Sequence, residues 1–190
     1  GLGDVYKRQT WEEAKKLDVG LELGLFNALN IEAAYFTEDR TGIFMRRTSL
    51  PSSTGLLGVT PYGNIGRVKS HGVDLSAVYN KQFNKDWSLS LRGTFTFSRN
   101  EVVEKDEGDL MYDYMSVVGH PVNAITGVLV ADGLFTSQEE IDNSPRQTFM
   151  PDYLPGDIKY RDMNGDGVID ANDRTSLGYP TVPEILYGFG

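Results

Sequence analysis

Cysteine is absent from the 190 residues, which removes thiol nucleophiles, zinc–thiolate sites, iron–sulfur ligation and any disulfide framework. No window comes near the roughly eighteen uninterrupted apolar residues of a spanning helix, and mean hydropathy is -0.34. A membrane-crossing helix is therefore excluded. With a formal net charge of -9 there is no basic stripe of clustered Lys and Arg, so no nucleic-acid partner is expected. Gly-x-Ser-x-Gly, His-Glu-x-x-His and a phosphate-cradling glycine loop are also missing. No enzyme is expected and no catalytic residue is nominated. His71 and His120 have no neighbour at a spacing that suggests a metal or a triad. No charged stretch followed by an apolar one stands near Gly1, and any export signal is expected outside the sequence. Residues 1–9, Gly1-Leu2-Gly3-Asp4-Val5-Tyr6-Lys7-Arg8-Gln9, read as a translated adapter scar. The fold reading uses residues 10–190.

What is present is alternation. Leu17, Val19, Leu21, Leu23 and Leu25 interleave with Asp18, Gly20, Glu22 and Gly24. A strand puts all of these aliphatics on one side, whereas a helix would scatter them around its axis. Phe26 to Asn30 reads as a short turn, after which Ile31, Ala33 and Tyr35 resume the pattern. The longest case sets Trp87, Leu89, Leu91, Gly93, Phe95 and Phe97 against Ser88, Ser90, Arg92, Thr94, Thr96 and Ser98. An antiparallel sheet with one wet face alternates in the same way. A spanning β-barrel does too, and its alternation averages to the modest hydropathy seen here.

Connection lengths bear on that choice. The pattern predicts strands over 17–25, 30–39, 67–81, 87–98 and 184–190. Tight connections join the first to the second and the third to the fourth. Long ones, 40–66 and 100–183, join the second to the third and the fourth to the last. Followed up and down, the short connections fall on one side and the long ones on the other, as in outer-membrane barrels. Tyr35, Phe36, Tyr79, Trp87, Phe95 and Phe97 lie toward strand ends, where interfacial aromatic girdles belong. The expected fold is thus all-β, an antiparallel transmembrane β-barrel fragment of about five strands with long extracellular loops. The 100–183 connection is too long to be structureless and should carry folded features of its own. It also holds the acidity: between Glu101 and Asp173 the excess of Asp and Glu over Lys and Arg exceeds that of the whole chain. Ser137 ahead of Glu139-Glu140 reads as the start of a short helix.

One motif carries chemistry. Residues 162–173, Asp-Met-Asn-Gly-Asp-Gly-Val-Ile-Asp-Ala-Asn-Asp, match the calcium-loop pattern, with side-chain oxygens at positions 1, 3, 5, 9 and 12. The expected metal ligands are Asp162, Asn164, Asp166, Val168 through its backbone carbonyl, Asp170 and Asp173. Calcium, a hard cation, wants six to eight oxygens, and alternate Asp and Asn on a tight turn can converge on one ion. Gly167 makes the sharp turn and Ile169 is expected to pack inward. Asp173 stands where Glu is usual, with a shorter reach. Pro155-Gly156 before the loop and Gly178-Tyr179-Pro180 after it leave no room for flanking helices, so a structural calcium loop in isolation is expected. A metal-free Asx-rich turn is the alternative.

Three stretches together resemble the starch-utilisation-type (SusC/RagA) TonB-linked outer-membrane transporters. They are Asn64-Ile65-Gly66-Arg67-Val68-Lys69-Ser70-His71-Gly72-Val73-Asp74, Asp132-Gly133-Leu134-Phe135-Thr136-Ser137-Gln138-Glu139-Glu140-Ile141, and the run from Pro155 through 162–173 to Pro180. The resemblance covers nearly everything after Trp11 and lies in the later part of that family's barrel. It implies a 22-stranded barrel, a class that carries a plugged lumen. It also implies a SusD-like surface lipoprotein as lid, coupling to the TonB complex through an N-terminal region absent here, outer-membrane lipid around the wall, and a glycan or peptide substrate. The other readings are a secreted calcium-dependent β-sandwich for binding or adhesion, and a passive porin. The apolar faces of 17–25 and 87–97 discriminate: a barrel leaves them as one uncovered band, and a sandwich covers them with a second sheet.

Overall fold

The computed structural model describes residues 10–48, 62–150 and 152–190. The adapter-scar reading of 1–9, and most of the connection between the second and third strands, lie outside the described residues. In chain order the elements are β1 (Glu13–Leu25), β2 (Leu29–Arg46), β3 (Tyr62–Gln82), β4 (Ser88–Glu104), β5 (Ala131–Leu134), α1 (Gln138–Asp142), β6 (Arg146–Gln147), β7 (Ile158–Tyr160), β8 (Val168–Ile169) and β9 (Ile185–Phe189). β1 to β4 form an antiparallel meander, and β9 pairs with the far edge of β4.

The register builds two unlike faces. Leu21 lies opposite Ala33, Ala33 opposite Leu75, Leu75 opposite Phe95, and Phe95 opposite Tyr187. The next rows run Leu23, Ile31, Ala77, Gly93 and Phe189 on one side, and Val19, Tyr35, Val73, Phe97 and Ile185 on the other. This apolar face is uncovered, with Leu21 57% and Leu75 42% exposed. Among the described residues the remaining strands form only two small pairs, and no second sheet lies against it. The described residues thus supply no second layer of the kind a β-sandwich needs. The fold is an all-β antiparallel wall, an arc of barrel that is not closed within this chain.

The band has an edge. One step above Leu17, the same face carries Lys15 opposite Asp39, Asp39 opposite Lys69, and Lys69 opposite Glu101. Opposite charges on neighbouring strands attract and are at home in water. The nine residues from Leu17 to Leu25 match the nine to eleven that a tilted strand needs to cross a bilayer.

Above that edge the strands run on, so β2, β3 and β4 are longer than their apolar stretches predict. β3 has 21 residues, about 70 Å of extended chain at ~3.3 Å per residue, against an apolar band about 25 Å tall. The extension rests on polar cross-strand contacts. Arg67 donates from Nε and Nη2 to both carboxylate oxygens of Asp39, at 2.9 and 2.6 Å. Two girdle assignments also change. Phe36 belongs to the opposite, polar face, where its ring lies against Gly72 and fills the place of a Cβ. Phe95 stands at mid-band, level with Leu21. Trp87 sits just outside β4 in the turn, where the Asn84 carboxamide oxygen accepts its backbone N–H at 2.8 Å.

The β1–β2 turn is as tight as expected. Phe26 and Asn27 take φ of 54° and 47°, and the Ala28 N–H donates to the Leu25 carbonyl at 3.1 Å. Two left-handed residues make the primed hairpin turn whose twist suits antiparallel strands.

The connection from β4 to β9 has its own small fold. β5 pairs with β7, and β6 runs parallel to β8. Phe135, Ile141 and Ile169 are buried at its centre, with Phe135 stacked on Tyr153. Gln147, also buried, spends its amide on the β7 backbone, donating to the Ile158 carbonyl and accepting the Tyr160 N–H. The Ser137 hydroxyl caps α1 by accepting the Glu140 N–H, where the sequence places a helix start.

Candidate functional site

Two features could carry function: the polar face of the wall and the 162–173 turn. The polar face carries Glu22, Glu32, Asp74, Arg92, Thr94 and Thr96, which line a shared hollow. Glu22 stands directly opposite Glu32, a like-charge pair that is unfavourable unless water or a partner separates the charges. Alternation explains why these residues share a face: each is one position away from a residue of the apolar band. A polar side and an uncovered apolar side are the arrangement of a barrel wall with an aqueous or protein-filled lumen.

The 162–173 turn is built from its own carboxylates. Asp162 accepts the N–H groups of Gly165 and Gly167 at 2.6 and 2.8 Å. Asn164 accepts from Asp166, and Asp166 from Val168, at 3.0 and 2.8 Å. Gly165 and Gly167 hold φ of 76° and 85°, a region that a side chain at either position would strain. The Asn164 amide also donates to Asp166 Oδ2 at 2.9 Å, so positions 3 and 5 meet. Ile169 is fully buried, as expected for the anchor.

The second half of the turn is arranged differently. Asp173 has zero exposure and accepts the N–H groups of Met163 and Asp170, both at 2.8 Å. Asp170 in turn caps the single 3-10 turn Ala171–Asp173 by accepting the Asn172 N–H. Asp173 therefore clasps the two ends of the loop together. Among the described residues no three His, Asp or Glu side chains converge on a common point. The donor chemistry nonetheless fits a hard cation: all six expected groups offer oxygen, and two of them, the Asn164 amide and the Val168 carbonyl, are not carboxylates. A carboxylate oxygen that accepts one N–H keeps a second lone pair. β7 precedes the turn and no α-helix flanks it, in line with an isolated loop.

Two residues that the motif does not flag lie against this turn. Tyr112 and Tyr114 stack with ring centroids 5.1 Å apart and planes 8° from parallel. Tyr112 Oη accepts from the Asn164 amide at 3.3 Å, and Tyr114 Oη donates to the Asn172 carbonyl at 2.6 Å. Burial first, then Asp173, pushes the Tyr114 hydroxyl's pKa up, so it stays a donor. The only sequence signal was a Tyr-Asp-Tyr spacing in an acidic stretch, which says nothing about its partner. The histidines stay apart from the turn. His71 is on the apolar side near Phe97, and the His120 carbonyl accepts the Val102 N–H.

Comparison with known proteins agrees with the wall. A family model described as TonB dependent receptor-like, beta-barrel, matches residues 3–180. Two curated proteins of Formosa agariphila are similar along the chain. TonB-dependent receptor P26 is 29% identical over 192 residues, covering 95% of this chain and 18% of its own. TonB-dependent receptor P3 is 30% identical over 190 residues, covering 94% and 18%. Among solved structures, the RagAB peptide transporter superposes with a TM-score of 0.64 at 21% identity, over 94% of this chain and 19% of that one. The RagAB peptide importer in its closed-closed state gives 0.63 at 21%. The chain thus spans about a fifth of the length of the relatives it matches.

Proposed function

Since this chain belongs to the TonB-dependent receptor β-barrel family, we propose that it is one arc of the wall of an active importer of large nutrients. TonB-dependent receptor β-barrels are outer-membrane proteins, and this arc is part of one. The observation that carries the proposal is the pairing of an uncovered apolar face with a charged one on the same sheet. The cargo is a glycan or a peptide; the peptide alternative draws support from the RagAB neighbours, which are peptide importers. A SusD-like surface lipoprotein lids the barrel on the side of the long connections, which are extracellular, and the TonB complex supplies energy from the other side.

The test uses the full-length transporter in cells with and without an energised inner membrane. Uptake of labelled oligopeptide or oligosaccharide that stops when TonB is deleted supports an importer. Uptake that continues unchanged marks a passive porin and defeats the reading.

Within this reading the 162–173 turn takes calcium, held by Asp162, Asn164, Asp166, the Val168 carbonyl, Asp170 and Asp173. Support comes from the oxygen-only donor set and from the meeting of Asn164 with Asp166. The ion's task is to order the loop, and it takes no part in catalysis. Calorimetric titration of the full-length protein that shows no calcium binding at millimolar concentration sinks this assignment.

A further inference from the structure

We propose that Tyr112 and Tyr114 are positioning residues that couple cation binding at the 162–173 turn to the placement of the connection leaving β4; this rests on the calcium reading above. The two rings form one stack, and each hydroxyl touches a different part of the turn. Tyr112 meets the side chain at position 3, and Tyr114 meets the backbone at position 11. The same segment has further contacts. The Thr175 hydroxyl donates to the Tyr114 carbonyl at 2.6 Å, and Glu107 accepts the Val117 N–H at 2.7 Å. One step earlier, Asp106 accepts the Thr48 N–H at 3.2 Å, and its carbonyl accepts the Thr48 hydroxyl at 2.6 Å. Thr48 lies two residues past the end of β2, in the other long connection. The turn is thus tied to the tyrosines, and the backbone on either side of them, through Val117 and Glu107 and then Asp106, is tied to Thr48.

The physical consequence is reciprocal. Asn164 is a proposed ligand whose amide nitrogen is fixed by Tyr112, leaving its oxygen aimed within the turn. A docked tyrosine stack holds that ligand ready, and an occupied turn holds the stack in place. By linkage, each raises the other's stability by the same factor.

The experiment compares full-length wild-type protein in detergent with Y112F and with Y112F/Y114F. Calcium titration is combined with amide hydrogen exchange. In the wild type, calcium slows exchange at 162–173 and also at 109–116. Loss of one hydrogen bond to the turn weakens calcium affinity about five-fold in Y112F. In the double variant, calcium still protects 162–173 but no longer protects 109–116. A merely structural role would instead raise exchange at 109–116 equally with and without calcium, and that result overturns the proposal. So does unchanged affinity in Y112F, which keeps the ring stack and removes only the acceptor. If wild-type protein binds no calcium at all, the calcium reading falls together with this one. Protection of the turn without protection of 109–116 in the wild type defeats the coupling alone.

Discussion

Asp173 closes the 162–173 loop from inside, so its removal has a cost that does not depend on calcium. Asp173→Ala strands the N–H groups of Met163 and Asp170 in a buried place, at about 1–3 kcal/mol for each unmatched donor. Limited proteolysis of the full-length protein should therefore cut within 162–173 in Asp173→Ala both with calcium present and with it removed by a chelator, and a turn that resists cleavage in either condition would contradict this. Glu140 makes a different statement. The Thr136 N–H first, then Lys159 and the Thr136 hydroxyl, hold its carboxyl at about 2, against an ordinary 4.5. A group whose pKa is lower in the folded state stabilises above its unfolded value and loses that contribution as pH falls through the folded one. Amide exchange at Thr136 should stay slow down to about pH 4 and accelerate toward about pH 2, and Glu140→Gln should show no such transition. At this scale the sequence was readable where chemistry is local: the oxygen spacing of the turn, the buried Ile169 and the Ser137 cap all follow from near neighbours. Tyr112 and Tyr114 were not, because their partners stand some 50 to 60 residues away.

For single strands, identity was legible and length was not. Alternation located β1 to β4 because a period of two marks a wall with unlike sides. Their outer ends escaped because above Lys15, Asp39 and Lys69 the strands are held by charge and hydrogen bonds, and apolar periodicity stops there. Phe36 was misplaced for a related reason. An aromatic near a strand end looks interfacial until the register shows that it packs on Gly72. The two faces predict opposite tolerance. Leu21→Arg, at mid-band on the apolar side, should destabilise the full-length barrel by about 2–4 kcal/mol. Thr94→Arg, on the polar side, should stay within about 0.5 kcal/mol. Unfolding titrations in lipid vesicles check both, and equal costs at the two positions would contradict the assignment of faces.

The whole chain is an arc with two open sides. Among the described residues β1 is paired only with β2 and β9 only with β4, and unpaired backbone groups are expensive in lipid and adhesive in water. The 190-residue piece, expressed by itself in detergent, should aggregate or be digested; a protease-resistant monomer would contradict this. Contact distances along the chain also set an order of events. β1 and β2 meet across a few residues, whereas β9 returns to β4 only after about 80, a closure that costs roughly 3 kcal/mol more in chain entropy. The connection's own fold shortens that journey. The Ile125 N–H bonds the Tyr179 carbonyl, the Thr181 N–H bonds the Asn123 carbonyl, and the Gly119 N–H bonds the Val102 carbonyl on β4, which brings Ile185 to the waiting edge. On this loop-closure argument the two hairpins can form early, and pairing of the fifth strand is cheapest once the connection between β4 and β9 has already folded and brought its far end home.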